Sequence, residues 1–178
     1  GLDKQVTEKL RLKSKRANLS RWKKVTKLEQ NRKGKTKIAM VGKYTELADS
    51  YKSVNEALVH AGIHNKTEVE IEYYDSQGFD KEVKNFKPHG ILIPGGFGGR
   101  GINGMINVAK FARVKDIPFF GICLGMQVAV IEFARNVLKI PANSTEFEKN
   151  TKNPVIALIT EWMDEKGLKQ RRNEYSDK

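Results

Sequence analysis

A chain of 178 residues is long enough to bury one real core, and its 39% hydrophobic content is ordinary for a globular domain. A single cysteine excludes an internal disulfide, no apolar run approaches the roughly 18 residues of a membrane span, and no charged-then-apolar leader opens the sequence; together these predict a cytoplasmic protein. The net charge of +12 suggests a nucleic-acid partner until it is located: residues 1–37 hold 14 Lys/Arg against 3 Asp/Glu, whereas residues 38–178 hold 19 against 18.

The basic arm carries two short helical patterns. Val6, Leu10 and Leu12 mark the first. Leu19, Trp22, Val25 and Leu28 mark the second, with Ser20 as its N-cap. Asn31 to Lys35 reads as a linker. Trp22 is the arm's one aromatic residue and nothing in it resembles a base-reading module, so a solvated docking segment is the expectation. Gly34-Lys35-Thr36 is no phosphate loop, because Glu29 stands where the upstream glycine is needed.

Beyond the arm, apolar runs alternate with helical patterns. Ile38–Val41 is a buried strand ending at Gly42-Lys43-Tyr44. Asp49 or Ser50 caps a helix built on Val54, Ala57, Leu58 and Ala61, and Gly62 ends it. Thr67–Tyr74 alternates Val69, Ile71 and Tyr73 with three glutamates, as a half-exposed strand near a sheet edge does. A short helix follows over Phe79–Phe86, then a buried strand over Gly90–Ile93, a glycine-rich loop over Pro94–Gly101 and a helix over Ile102–Val114. Another buried strand spans Ile117–Ile122, and a helix follows with Val128, Ile131, Ala134 and Leu138 on its apolar side. Pro141–Phe147 is a loop and Val155–Thr160 a last strand. This alternation predicts an α/β fold, a doubly wound, mostly parallel sheet that binds ligands at the carboxyl ends of its strands. Gly42–Tyr44, Gly95–Gly99 and Cys123 should share that edge.

Cys123 sits where the Ile117–Ile122 strand turns into the next helix. A lone cysteine in an apolar run is ordinarily inert core. Here glycines stand two residues before and two after it, as a tight nucleophile elbow requires, and the helix aims its first amides at the sulfur, which favours thiolate. The loop Gly96-Phe97-Gly98-Gly99-Arg100-Gly101 satisfies the dinucleotide fingerprint, but the acidic residue expected at the end of the next strand is missing; Gly121-Ile122-Cys123 is there. Beside a nucleophile, such a loop has another use. The amide of Gly95 or Gly96, partnered by that of Leu124, can face a developing oxyanion.

Several motifs together resemble one family. They are Val41-Gly42-Lys43-Tyr44, Asp49-Ser50-Tyr51 with Ser53-Val54 and Glu56-Ala57-Leu58, Pro94-Gly95-Gly96-Phe97-Gly98, Gly121-Ile122-Cys123-Leu124-Gly125-Met126-Gln127 and Ala142-Asn143-Ser144-Thr145-Glu146-Phe147. The elbow and the glycine loop are similar to those of class I glutamine amidotransferases, with their flavodoxin-like fold. The first and last motifs resemble the glutaminase domain of the CTP synthases in particular. The resemblance implies a basic helical linker over 1–36, leading out of a synthetase domain, and an amidotransferase domain over 37–178. It implies that Cys123 attacks glutamine and forms a glutamyl thioester, and that Gly96 and Leu124 line the oxyanion hole. Gln127 and Glu146 would hold the substrate's polar ends, with Gly125 and Met126 beside them. No metal or cofactor is expected on this segment. ATP and Mg²⁺ would serve the synthetase domain in converting UTP to CTP, GTP would activate, and the full-length enzyme would be a homotetramer. The family also needs a His-x-Glu pair far downstream of the cysteine, absent before Lys178, so the domain is expected to be truncated and inactive alone. A γ-glutamyl or other thiol hydrolase would use the same elbow. A non-catalytic module with a nucleic-acid-docking arm is the reading from a different class.

Overall fold

Four parallel strands carry the architecture. In the computed structural model, which describes all residues except Ser14, Arg16, 44–47, 80–86, Leu158, Thr160 and 172–178, they are β1 (Lys35–Gly42), β2 (Glu68–Asp75), β3 (Gly90–Ile93) and β4 (Phe119–Gly121). Their order is β2-β1-β3-β4, with Ile38 opposite Ile71 and Gly90, and Ile91 opposite Phe119. β1 starts at Lys35, inside the segment expected to be linker, because Lys35–Lys37 pair in register with Glu68–Glu70.

Alternation along the strands feeds two unequal cores. Ala39, Val41, Ile91 and Ile93 point to one face, where α4 (Ile102–Val114) and α5 (Leu124–Asn136) cover them with Met105, Val108, Leu124, Val128 and Ile131. Met40 and Leu92 point to the other, under Tyr51, Val54 and Leu58 from α3 (Lys52–His64) and the 3-10 turn before it. Helices therefore lie on both faces of a parallel sheet, as the alternating pattern predicts. The bidentate pair of Arg113 with the buried carboxylate of Glu132 ties α4 to α5.

β2 is an edge strand, as its half-exposed alternation predicts. The strand expected over Ile117–Ile122 is shorter and is the opposite edge. Phe120 is 62% exposed, because α3 reaches only as far as the β1–β3 part of its face. The helix expected to end at Gly62 runs on to His64. Gly62 is instead a packing site, where a Cβ would come within 2.8 Å of the Thr67 carbonyl and of Val69. Neither Asp49 nor Ser50 caps α3 with its side chain; both lie in the 3-10 turn Ala48–Tyr51.

In the arm, α1 (Leu2–Lys9) and α2 (Ser20–Gln30) bury no residue, and Trp22 is 70% exposed. Ser20 is the first residue of α2 rather than its cap, and its amide donates to the Asn18 side chain. The expected strand Val155–Thr160 is β6 (Pro154–Ile156), paired in parallel with β5 (Asn143–Ser144) outside the main sheet; Leu158 and Thr160 fall outside the described residues. So does most of the helix expected over Phe79–Phe86, although Phe79 itself is core. The antiparallel hairpin of β7 (Glu161–Met163) and β8 (Lys169–Arg171) was not legible in the sequence. Among the described residues no helix is long and apolar enough to cross a membrane.

Candidate active site

The turn between β4 and α5 is built by steric exclusion. Cys123 has φ 52° and ψ −105°, a backbone state that non-glycine residues rarely adopt and that persists only where the surroundings impose it. They do so from both sides. A Cβ on Gly121 would overlap the Gly125 carbonyl, and one on Gly125 would overlap the carbonyl of Ile93 in β3. The Ile122 amide donates to that same Ile93 carbonyl at 2.9 Å, and the Gln127 amide to the Cys123 carbonyl at 3.1 Å. The thiol bearer is exposed, and Leu124, first residue of α5, is buried behind it. The first amides of a helix have no partner within it, so the Leu124 N–H is available to a ligand.

The expected companions of the cysteine are in place. Gly95 lies over Cys123, a Cβ on it being 3.6 Å from the Cys123 Cβ, and Gly96 lies over Leu124, at 3.2 Å from its Cδ2 on the same measure. Gly125 is buried and its amide is used within the elbow, donating to the Ile122 carbonyl at 2.9 Å. Met126 is 54% exposed. Gln127 and Glu146 come together on an open pocket of about 620 Å³, shared with Ser144, Thr145, Lys149, Ile156 and Ala157; Cys123 is not in its lining. β5 sets the position of Glu146, whose amide donates to the hydroxyl of the buried Ser144.

Sequence reasoning missed how the glycine loop is held. Gly98 and Gly101 take φ +73° and +71°, which explains two of its glycines but fixes nothing in space. The fixing comes from side chains distant in sequence. Lys43, at the end of β1 and only 5% exposed, donates from Nζ to the Phe97 carbonyl at 2.9 Å and to the Gly98 carbonyl. Glu146 Oε1 accepts the Gly98 amide at 3.0 Å, so the peptide between Phe97 and Gly98 is gripped at its oxygen and at its hydrogen. Lys43 is itself held, its amide donating to the Tyr51 hydroxyl at 3.2 Å and its carbonyl accepting Arg100 Nη2 at 2.6 Å. Burial pulls the Lys43 ammonium below the usual lysine range; the Glu146 carboxylate opposes this and Arg100 adds to it. A buried lysine at the carboxyl end of a strand was the available signal, but burial is not visible in Gly-Lys-Tyr.

No histidine of the sequence reaches the thiol. His89 precedes β3 at the amino edge of the sheet, with its Nδ1 accepting the Lys37 amide at 2.9 Å. His60 and His64 lie towards the end of α3, which leads into β2 at that same edge. Among the described residues no group of three or more His, Cys, Asp or Glu side chains is placed to hold a metal.

The family model described as glutamine amidotransferase class-I matches residues 46–169. Among solved structures, the chain is similar to the glutaminase domain of Trypanosoma brucei CTPS with bound acivicin. The identity is 41% and the TM-score 0.65, over 69% of this chain and 50% of that one. The chain thus spans about half the length of that relative.

Proposed function

The chain belongs to the class I glutamine amidotransferases, and from that premise we propose that it is the nucleophile-bearing part of a CTP synthase glutaminase. The observation that carries the reading is the stacking of Gly95 and Gly96 over Cys123 and Leu124 at a strained strand–helix turn. Cys123 Sγ, as thiolate, adds to the side-chain amide carbon of glutamine; the C–S bond forms and the carbonyl π pair moves onto oxygen. The Leu124 amide and that of Gly95 or Gly96 receive the charge, an interaction strongest when the oxygen is anionic. Collapse breaks the C–N bond and releases ammonia, which takes a proton as it leaves. Water then opens the thioester, so that glutamine and water become glutamate and ammonia. With Cys123 out of reach of His60, His64 and His89, the reading assigns both proton transfers to a His-x-Glu pair supplied outside these residues. Glu146 keeps Oε2 for the substrate α-ammonium while Oε1 holds Gly98. In the whole protein the ammonia would pass to a synthetase domain that aminates UTP with ATP and Mg²⁺, under activation by GTP and in a tetramer.

The test is alkylation of Cys123 by the chloroketone analogue of glutamine, followed by peptide mapping. The thiolate displaces chloride, so one adduct at Cys123, a rate that saturates with analogue and protection by free glutamine are expected. Alkylation that rises linearly with reagent and ignores glutamine would overturn the assignment.

A further inference from the structure

We infer that Lys43 is a positioning residue for the oxyanion site: from beneath the glycine loop its ammonium fixes the peptides that aim the Gly95–Gly96 amides at Cys123. The inference rests on the proposed glutaminase reading and adds to it a residue that does not touch substrate. A lysine held to 5% exposure at the ligand edge of a sheet is costly unless its N–H groups are satisfied, and here loop carbonyls satisfy two of them. Its stem is part of the same support, since a Cβ on Gly96 would lie 3.8 Å from Lys43 Cδ on one side and 3.2 Å from Leu124 Cδ2 on the other. Gly96 therefore packs against both the lysine and the first residue of the nucleophile helix. The lysine cannot drift, because the Tyr51 hydroxyl and the Arg100 guanidinium hold its own amide and carbonyl.

The glycines around it have no side chains with which to set the loop, and two of them adopt left-handed backbone. Without Lys43, the 97–98 peptide keeps, among the described residues, only the exposed Glu146 as anchor. The loop amides then sample orientations in which the oxyanion lacks a donor. Preorganisation is what gives such donors their catalytic worth. The loss should consequently fall mainly on the covalent step, because Gln127 and the second carboxylate oxygen of Glu146 remain for glutamine's polar ends.

Wild type, Lys43→Met, Lys43→Gln and Lys43→Arg are compared with two reagents: the glutamine chloroketone, whose carbonyl oxygen occupies the oxyanion site and gains negative charge while sulfur forms its bond to the adjacent carbon and chloride leaves, and iodoacetamide, from which the thiolate displaces iodide with no need of an oxyanion site. Lys43→Met should lower the maximal chloroketone rate about tenfold or more, a share of the roughly 10²–10³ lost with an oxyanion donor. Its half-saturating concentration and its iodoacetamide rate should stay within about twofold. Arginine should recover most of the rate and glutamine little, an ordering that remains readable if the methionine variant does not fold. Hydrogen exchange at residues 96–100 should quicken in Lys43→Met and Lys43→Gln while β3 and α5 keep their protection. Unchanged maximal rate, equal rates for the arginine and glutamine variants, or unchanged exchange in the loop would each overturn the role. If wild type itself shows no saturation, it is the glutaminase reading that fails, and loop exchange still reports on the clamp.

Discussion

The two halves of the candidate site are held by opposite means. The elbow at Cys123 is rigid because backbone meets backbone: Gly121 against Gly125, Gly125 against Ile93, with β3 as the anvil. The glycines of the loop over Pro94–Gly101 meet side chains or open space rather than backbone, and its peptides are held by a few charged side chains from β1, from the β5 turn and from the loop itself. A steric device is local in sequence and fails abruptly. A polar clamp draws on residues about 50 positions away on either side and fails by degrees.

The sharpest way to break this contrast is to add one methyl group at the elbow. Gly125→Ala should cost about 3 kcal/mol or more of stability, beyond the usual overpacking range, because the new carbon meets backbone that cannot rotate away. Denaturant melts of the purified chain read it, and a variant as stable as wild type would show that the turn yields. Next comes the tie between the two helices that leave the loop and the elbow. Arg113→Leu strands the Glu132 carboxylate, which is 2% exposed, and should lower the denaturant midpoint more than the double change Arg113→Leu/Glu132→Leu does. Equal losses would mean that the pair is only a surface contact.

A smaller effect is expected at Glu146, where the clamp and the proposed substrate contact would share one carboxylate. Glu146→Ala should weaken half-saturation by the glutamine chloroketone by about 1.5–3 kcal/mol, the worth of a hydrogen bond to a charged group. An unchanged value would confine Glu146 to holding Gly98. The smallest effect lies away from the site, in the β7–β8 hairpin, whose turn the Asp164 carboxylate organises much as the clamp organises the loop. Asp164 accepts the Leu168 amide at 2.9 Å, the Gln170 side chain at 2.9 Å and the Lys166 amide at 3.0 Å, and these bonds hold its carboxyl below the usual aspartate range. Because the folded value is the lower one, the bonds stabilise the hairpin above the ordinary carboxylate range, and that contribution is lost as pH falls through the depressed value. A carboxyl titration by NMR with its midpoint at or above about 3.9 would contradict this.

The sequence by itself determined the elements whose causes are adjacent along the chain. Glycines two residues either side of Cys123, an apolar run before it and a helical period after it are enough to specify the elbow, and strand–helix alternation is enough to specify a parallel sheet wound on both faces. Edges were legible only in part. The three glutamates of Glu68–Glu72 betray β2, whereas Phe119-Phe120 reads as buried because no local pattern tells how far α3 extends over the sheet. Tertiary structure decided the rest. That Gly62 is a contact rather than a helix end depends on where β2 returns, and that Lys43 is a buried clamp depends on the meeting of β1, the loop after β3 and the turn after β5. Hydrogen bonds between residues about 50 positions apart leave no periodic trace in composition or spacing. Only the parallel pairing of the strands, which brings their carboxyl ends to one edge, puts these partners within 3 Å.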